Sequence, residues 1–131
     1  MPYKINKQEF HSVLGLPAPE RYSHFIKRVA DWEEVWSLKS EEGWVVSGDE
    51  QGRKLVPVWH HPLYAEVCAE GEWAGARPEA ITLDEWLERW IPGMSLDQRL
   101  ISVFPTPEGQ SIAVEPKRLK EDLEREVSQY E

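Results

Sequence analysis

The apolar residues of this chain change their spacing near Glu34, and that change sets the class of the fold. Tyr22, Phe25, Ile26 and Val29 fall at i, i+3, i+4 and i+7, which lines one face of a helix. In EVWSLK, residues 34–39, Trp36 and Leu38 instead alternate with Ser37 and Lys39, the two-residue period of a strand with one buried face. Both periods within 131 residues point to a single α+β domain. A chain of that length buries about two-thirds of the surface its unfolded form exposes, so one core is expected without a disulfide or a structural metal.

Local signals place the other elements. Asn6 followed by Glu9 has the spacing of a capping box, so NKQEFHSVL opens a short helix that Gly15 stops. Pro19 suits the first turn of the second helix, where a missing N–H costs no hydrogen bond. GWVVSG and RKLVPVW, set off by turns at 40–43 and at GDEQG, complete a three-stranded antiparallel meander with EVWSLK. Pro57 donates nothing to a ladder, which places it on an edge or at a strand end. A helix from about Pro62 to Glu70 follows, and then Thr82 and Glu85 form a second capping box for a helix with Leu83, Trp86, Leu87 and Trp90 on one face, ended by Pro92-Gly93. RLISVF and QSIAVE, joined by PTPEG, are two further strands, and a last, heavily charged helix starts near Pro116 with Leu119, Leu123 and Val127 in a narrow stripe. The expected whole is α+β, a mostly antiparallel sheet of about five strands with helices packed over one face. Residues 1–16 are expected as a helical extension to a core of 17–131.

Charge divides unevenly along the chain. Residues 1–30 carry five basic and two acidic side chains, a local +3, while residues 31–131 carry 10 basic and 22 acidic, a local −12, and together they make the net −9. Nucleic-acid binding gathers Lys and Arg on one face to release condensed counterions, and the acidic majority argues against it. No apolar run nears the roughly 20 residues that span a bilayer, so no membrane association is expected. MPYKINKQEF lacks the apolar stretch and cleavage site of a secretion signal. Cys68, the only cysteine, can form no internal disulfide, which agrees with a reducing cytoplasm.

PVWHHPLYAEVCAEGEW, residues 57–73, holds two of the four histidines, the cysteine and two of the seven tryptophans, so chemistry is sought there first. His61 and Cys68 are seven residues apart, about 10 Å along a helix axis. Helical metal ligands sit at i, i+3 or i+4, positions that Tyr64 and Ala65 occupy here. His60 and His61 face opposite ways on an extended chain. Cys68 lies between Glu66 and Glu70, and negative charge raises a thiol pKa rather than activating it. No nucleophile elbow, phosphate-binding loop or dinucleotide fingerprint occurs anywhere in the chain. The expectation is therefore no catalytic set, no metal and no cofactor, with the stretch acting as a strand-to-helix junction: His61 at the N-cap, Pro62 in the first turn, and Leu63 and Val67 facing the core with Tyr64 and Cys68 beside them. Trp59, His60 and His61 then stand at a strand end, where sites are commonly built.

Tryptophan is the surplus in the composition. Trp36, Trp86 and Trp90 lie on the apolar periods and are explained by core packing, whereas Trp32 in ADWEE and Trp73 in EGEWAG lie among acids outside any period and are the better surface anchors. Adjacent acid pairs such as Glu33-Glu34 and Asp49-Glu50 lack the asymmetry of environment that acid–base catalysis needs. Arg21, His24, Lys27 and Arg28 give the second helix a basic face, expected to pair with the chain's own acidic loops.

RYSHFIKRVADWEEVWSL, EEGW, VPVW, YAEVCAEGEW, ITLDEWLERWIPGM, VFPTPEG and VEPKRLKEDLEREV resemble, in words and in order, the small bacterial proteins known as domain of unknown function 2750. That resemblance covers nearly the whole chain and implies a bacterial single-domain protein; it brings no activity and no functional residues with it. In the second half, VPVWHHP, a helix, ITLDEWL, a strand and VEPKRLKEDL are similar in order to the enhanced-serine-sensitivity (SseB-like) domains, which are associated with secretion or toxin–immunity settings. FPTPEG stands where those domains carry Asn-Pro.

The reading these observations favour is a non-enzymatic cytoplasmic module that binds another protein near the sheet's strand ends. Trp32, Trp59 and Trp73 are its candidate anchors, beside His60 and His61, in a monomer or homodimer. The alternative is a ligand-binding or weakly catalytic protein with a cleft edged by Trp59, His60 and His61.

Overall fold

A computed structural model describes residues 4–48, 51–108 and 111–130, and in it two sheets share one core. Asp49-Glu50 of the GDEQG turn and Gly109-Gln110 lie outside the described residues.

Helix α1 (Lys7–Leu14) starts as its capping residue requires, the Asn6 side chain accepting from the Glu9 N–H at 2.8 Å. Helix α2 (Ala18–Trp32) buries the Phe25, Ile26 and Val29 stripe and ends where Glu33 takes a left-handed φ of 59°. The chain then returns as β1 (Glu34–Ser40), which pairs antiparallel with β2 (Gly43–Trp44) and, from Glu34 opposite Thr82 to Lys39 opposite Arg77, with β5 (Arg77–Thr82). The other sheet, in the order β3-β4-β6-β7, contains β3 (Ser47–Gly48), β4 (Lys54–Val58), β6 (Leu100–Val103) and β7 (Ile112–Val114).

The α+β class holds, but these two sheets of three and four strands correct the expectation of one sheet of about five. The reason lies in GWVVSG, which does not run as one strand: its first two residues pair with β1 and its last two with β4, so Val45 and Val46 carry the chain from one sheet to the other. Between the sheets, Trp36 and Trp59 exchange two backbone hydrogen bonds of 2.8 Å. The neighbours of the expected meander do pair antiparallel, though split over the two sheets, and β4 and β6 run parallel, Leu55 opposite Leu100 and Val58 opposite Val103. Pro57 fits within β4 because β3 pairs only as far as Leu55, and the Pro57 carbonyl accepts the Ser37 hydroxyl at 2.6 Å.

Helix α3 (Pro62–Val67) begins at His61, whose Nδ1 accepts from the Leu63 N–H at 3.2 Å. Tyr64 and Cys68 are buried as expected, together with Ala65, but Leu63, expected to face the core, is 37 % exposed. Tyr64 takes the inner position by packing its larger ring on Phe104, 4.9 Å between centroids. Thr82 caps α4 (Leu83–Glu85) as expected, but the helix runs through Pro92-Gly93 by way of a π-helical turn, Trp86–Trp90, into α5 (Ile91–Leu96). The Ile91 N–H reaches back five residues to Trp86, and this wider turn relieves the clash that Pro92 makes in a regular α-helix. Helix α6 (Pro116–Val127) buries Leu119 and Leu123 and packs on α2, where the Tyr22 hydroxyl donates to Asp122. No helix among the described residues is long and apolar enough to cross a membrane.

Candidate functional site

Because β4 and β6 are parallel, both deliver their following residues to the same end of the sheet, the end at which open sheets bind ligands. β4 delivers Trp59, His60 and His61, and β6 delivers Phe104, Pro105 and Thr106. Consecutive residues of an extended segment point to opposite sides, so Trp59 and His60 divide this end into two regions.

The loop after β6 forms the wall between them. Phe104 donates its N–H to Val58 at 2.9 Å and holds a φ of 56°, a left-handed conformation that costs a non-glycine residue about 1–3 kcal/mol. Three side chains from three elements hold it there: Arg21 Nε donates to the Phe104 carbonyl at 3.1 Å, Trp59 Nε1 to the Pro105 carbonyl at 2.9 Å, and Cys68 Sγ to the same carbonyl at 3.4 Å. Arg21 also donates to the Leu16 carbonyl, so it serves buried backbone, and it feels the negative charge of Glu108 in the loop after β6 as well.

On the His60 side the space is filled by rings. α2 contributes His24, Arg28 and Trp32, with ring centroids 4.9 Å (His24) and 5.7 Å (Trp32) from His60 and with Arg28 over the Trp32 ring at 5.5 Å. Tyr64 lies 4.9 Å from His60, Phe104 lies 5.3 Å from it, and Phe10 of α1 stacks on Tyr64 at 5.1 Å. Both ring nitrogens of His60, His24 Nε2, Arg28 Nε and the Tyr64 hydroxyl are buried without a hydrogen-bond partner among the described residues. Burial first, and then the positive surroundings of His24, His61 and Arg28, hold His60 well below the ordinary histidine range; burial and Arg28 lower His24, with Glu9 opposing. Burial likewise raises the Tyr64 phenol. At neutral pH the cluster is therefore uncharged apart from Arg28.

On the Trp59 side a cavity of about 460 Å³ opens, walled by Trp73, Cys68, Ser102, Pro105, Thr106 and Ser111. Trp73 comes from a short 3₁₀ turn that starts at Gly71, whose φ of 59° suits glycine, and its ring meets the Trp59 ring edge-on at 6.3 Å. The Ser102 and Ser111 hydroxyls are 2.7 Å apart. Glu70 is the one charged side chain among the described residues of the lining. Burial, and secondarily Glu70, push the Cys68 thiol up to about 12 against the opposing pull of Arg21, so it is a neutral thiol here. Among the described residues no three His, Cys, Asp or Glu side chains group as metal ligands.

The five residues singled out from the sequence thus surround one strand end without sharing one surface. Trp59, His60 and His61 are buried at 0 %, 1 % and 4 % exposure; Trp32 is half-buried over the histidines, and Trp73 is half-buried at the cavity. The sequence reading missed Arg21, Tyr64, Ser102, Phe104 and Thr106. Arg21 did leave a signal, since it lies four residues before Phe25 and eight before Val29 on the buried stripe.

The model of a family described as "Protein of unknown function (DUF2750)" matches residues 22–123, a span that contains both sides of this strand end and leaves out α1. No curated protein matches the chain.

Proposed function

The chain belongs to the DUF2750 family, and we propose that it is a small-molecule-binding protein whose ligand occupies the cavity beside Trp73. The observation that carries this reading is the cavity itself: about 460 Å³ running from β3 and Leu55 of β4 to the loop after β6, with one indole wall and several hydroxyls. That volume is within the range of about 300–1,000 Å³ that ligand sites occupy. The chemistry of the lining narrows the ligand. Trp73 offers an aromatic face, Ser102, Ser111 and Thr106 offer hydroxyls, and Glu70 supplies negative charge with no Lys or Arg beside it among the described residues. A small neutral or cationic molecule with a flat apolar part fits this set, and an anion does not. The burial of Trp59, His60 and His61 supports this reading over a protein-docking surface that would use them as anchors.

Thermal unfolding in the presence of small aromatic amines and neutral aromatic alcohols tests the proposal. A ligand at 100 times its Kd adds about 2.7 kcal/mol of stability. Trp73→Ala, which removes a half-buried wall, should abolish that gain while leaving the unliganded protein folded. A flat screen, or gains that persist in Trp73→Ala, would overturn it.

A further inference from the structure

The His60 side is closed over polar atoms that have no hydrogen-bond partner among the described residues, and buried atoms of that kind are uncommon because each has given up its bonds to water. Two of the groups are imidazoles with ring centroids only 4.9 Å apart. The charged and titratable groups that face them are His24, Lys27 and Arg28 from α2, His61 from the strand end, Tyr64 from α3 and Glu9 from α1; Trp32, Phe104 and Phe10 add only rings. Glu9 is the only acid of that set, so a proton arriving on His60 meets more positive charge than negative. α2 is anchored beneath the cluster by Phe25 and Val29, both fully buried, and by its packing on α6. The elements that cover the cluster are slighter: α3 has six residues, of which Tyr64 and Ala65 are buried, and α1 buries only Val13.

We propose that the His24–His60 pair is an acid-sensitive latch: neutral rings let α3 and α1 close against α2, and protonated rings drive α3 and α1 away from α2 while both sheets stay folded. The direction follows from linkage. Both histidines titrate below their ordinary value in the closed form, so the closed form binds fewer protons than the open one. Closure is therefore at full strength above about pH 6.5, the ordinary histidine value, and weakens as pH falls below it. For each proton that only the open form takes up, the opening constant rises toward tenfold per pH unit below about pH 6.5, or about 30-fold between pH 7.5 and 5.0. Cys68, at the end of α3, lines the Trp73 cavity, so acid release of a ligand would follow. That consequence rests on the proposed function, whereas the latch does not.

Amide hydrogen exchange without ligand at pH 7.5 and 5.0, corrected for intrinsic rates, tests the latch apart from any binding. The expected result is exchange in α3 and α1 faster by about 30-fold or more at pH 5.0, with β1 and β5 unchanged. His60→Phe keeps a ring of similar size without a titrating group, and His24→Gln removes the partner; each should reduce the acceleration, and the second serves if the first does not fold. The latch is excluded if the wild type shows no local acceleration, if β1 and β5 accelerate equally, or if the acceleration survives in the variants.

Discussion

The two sides of the Trp59-His60 step bury their side chains equally and satisfy them unequally. Trp59 is fully buried and its Nε1 is bonded to the Pro105 carbonyl, while His60, just as buried, has no partner on either nitrogen among the described residues. The side that is fully bonded stands beside an open cavity, and the side that is fully packed holds the orphaned atoms. Burial alone therefore does not say whether a residue stabilises this fold. Bonding does, and the region that is cheaper to keep folded is the one left with room for a ligand.

Substitutions on each side sharpen that contrast. Trp59→Ala should have the largest effect, a loss of about 4 kcal/mol in denaturant unfolding, because it empties a fully buried ring site and leaves the Pro105 carbonyl only the weak Cys68 thiol donor. A loss below about 1 kcal/mol would mean that the Trp59 side contributes little. Arg21→Met, which keeps the apolar stem and removes the donors to the Phe104 and Leu16 carbonyls, should cost about 2–3 kcal/mol. Cys68 should make stability sensitive to alkali: its thiol pKa is raised in the fold, so its contribution is intact below about pH 9 and is lost as pH climbs toward 12, by at most about 1.4 kcal/mol per unit. Cys68→Ala should remove that slope between about pH 9 and 10, while the raised Tyr22 and Tyr64 phenols keep a slope above about pH 10. His60→Phe should have the smallest effect and the opposite sign, a gain of about 1 kcal/mol at pH 7.5, since it retains a buried ring and removes two unbonded nitrogens. A loss above 2 kcal/mol would show that those nitrogens are bonded and that the contrast between the sides is false.

What the sequence made legible was local. Asn6, His61 and Thr82 cap their helices with their own side chains within three residues, so the motif and the structure coincide. The α2 stripe was equally plain, because helical spacing records burial directly. The division into sheets was not legible, since alternation shows that a strand has a buried face and says nothing of which neighbour it joins. In RPEAIT only Ile81 is buried, so β5 left almost no period to read. The site was half legible. Trp59, His60 and His61 were recognisable as a strand end, but Phe104 to Thr106 reach it through a parallel pairing more than 40 residues away that no local motif announces. Arg21 was read by its charge, when its position on the apolar stripe was the better guide.

The most direct test of the division is a titration with small aromatic amines followed by the indole and amide signals of the ¹⁵N-labelled protein. The account predicts that the Trp73 and Trp59 indole N–H signals and the Ser102 and Thr106 amides move together and saturably, while Trp32 and His60 stay in place. Saturable shifts centred on Trp32 and His60, or no saturable shift near Trp73, would contradict it.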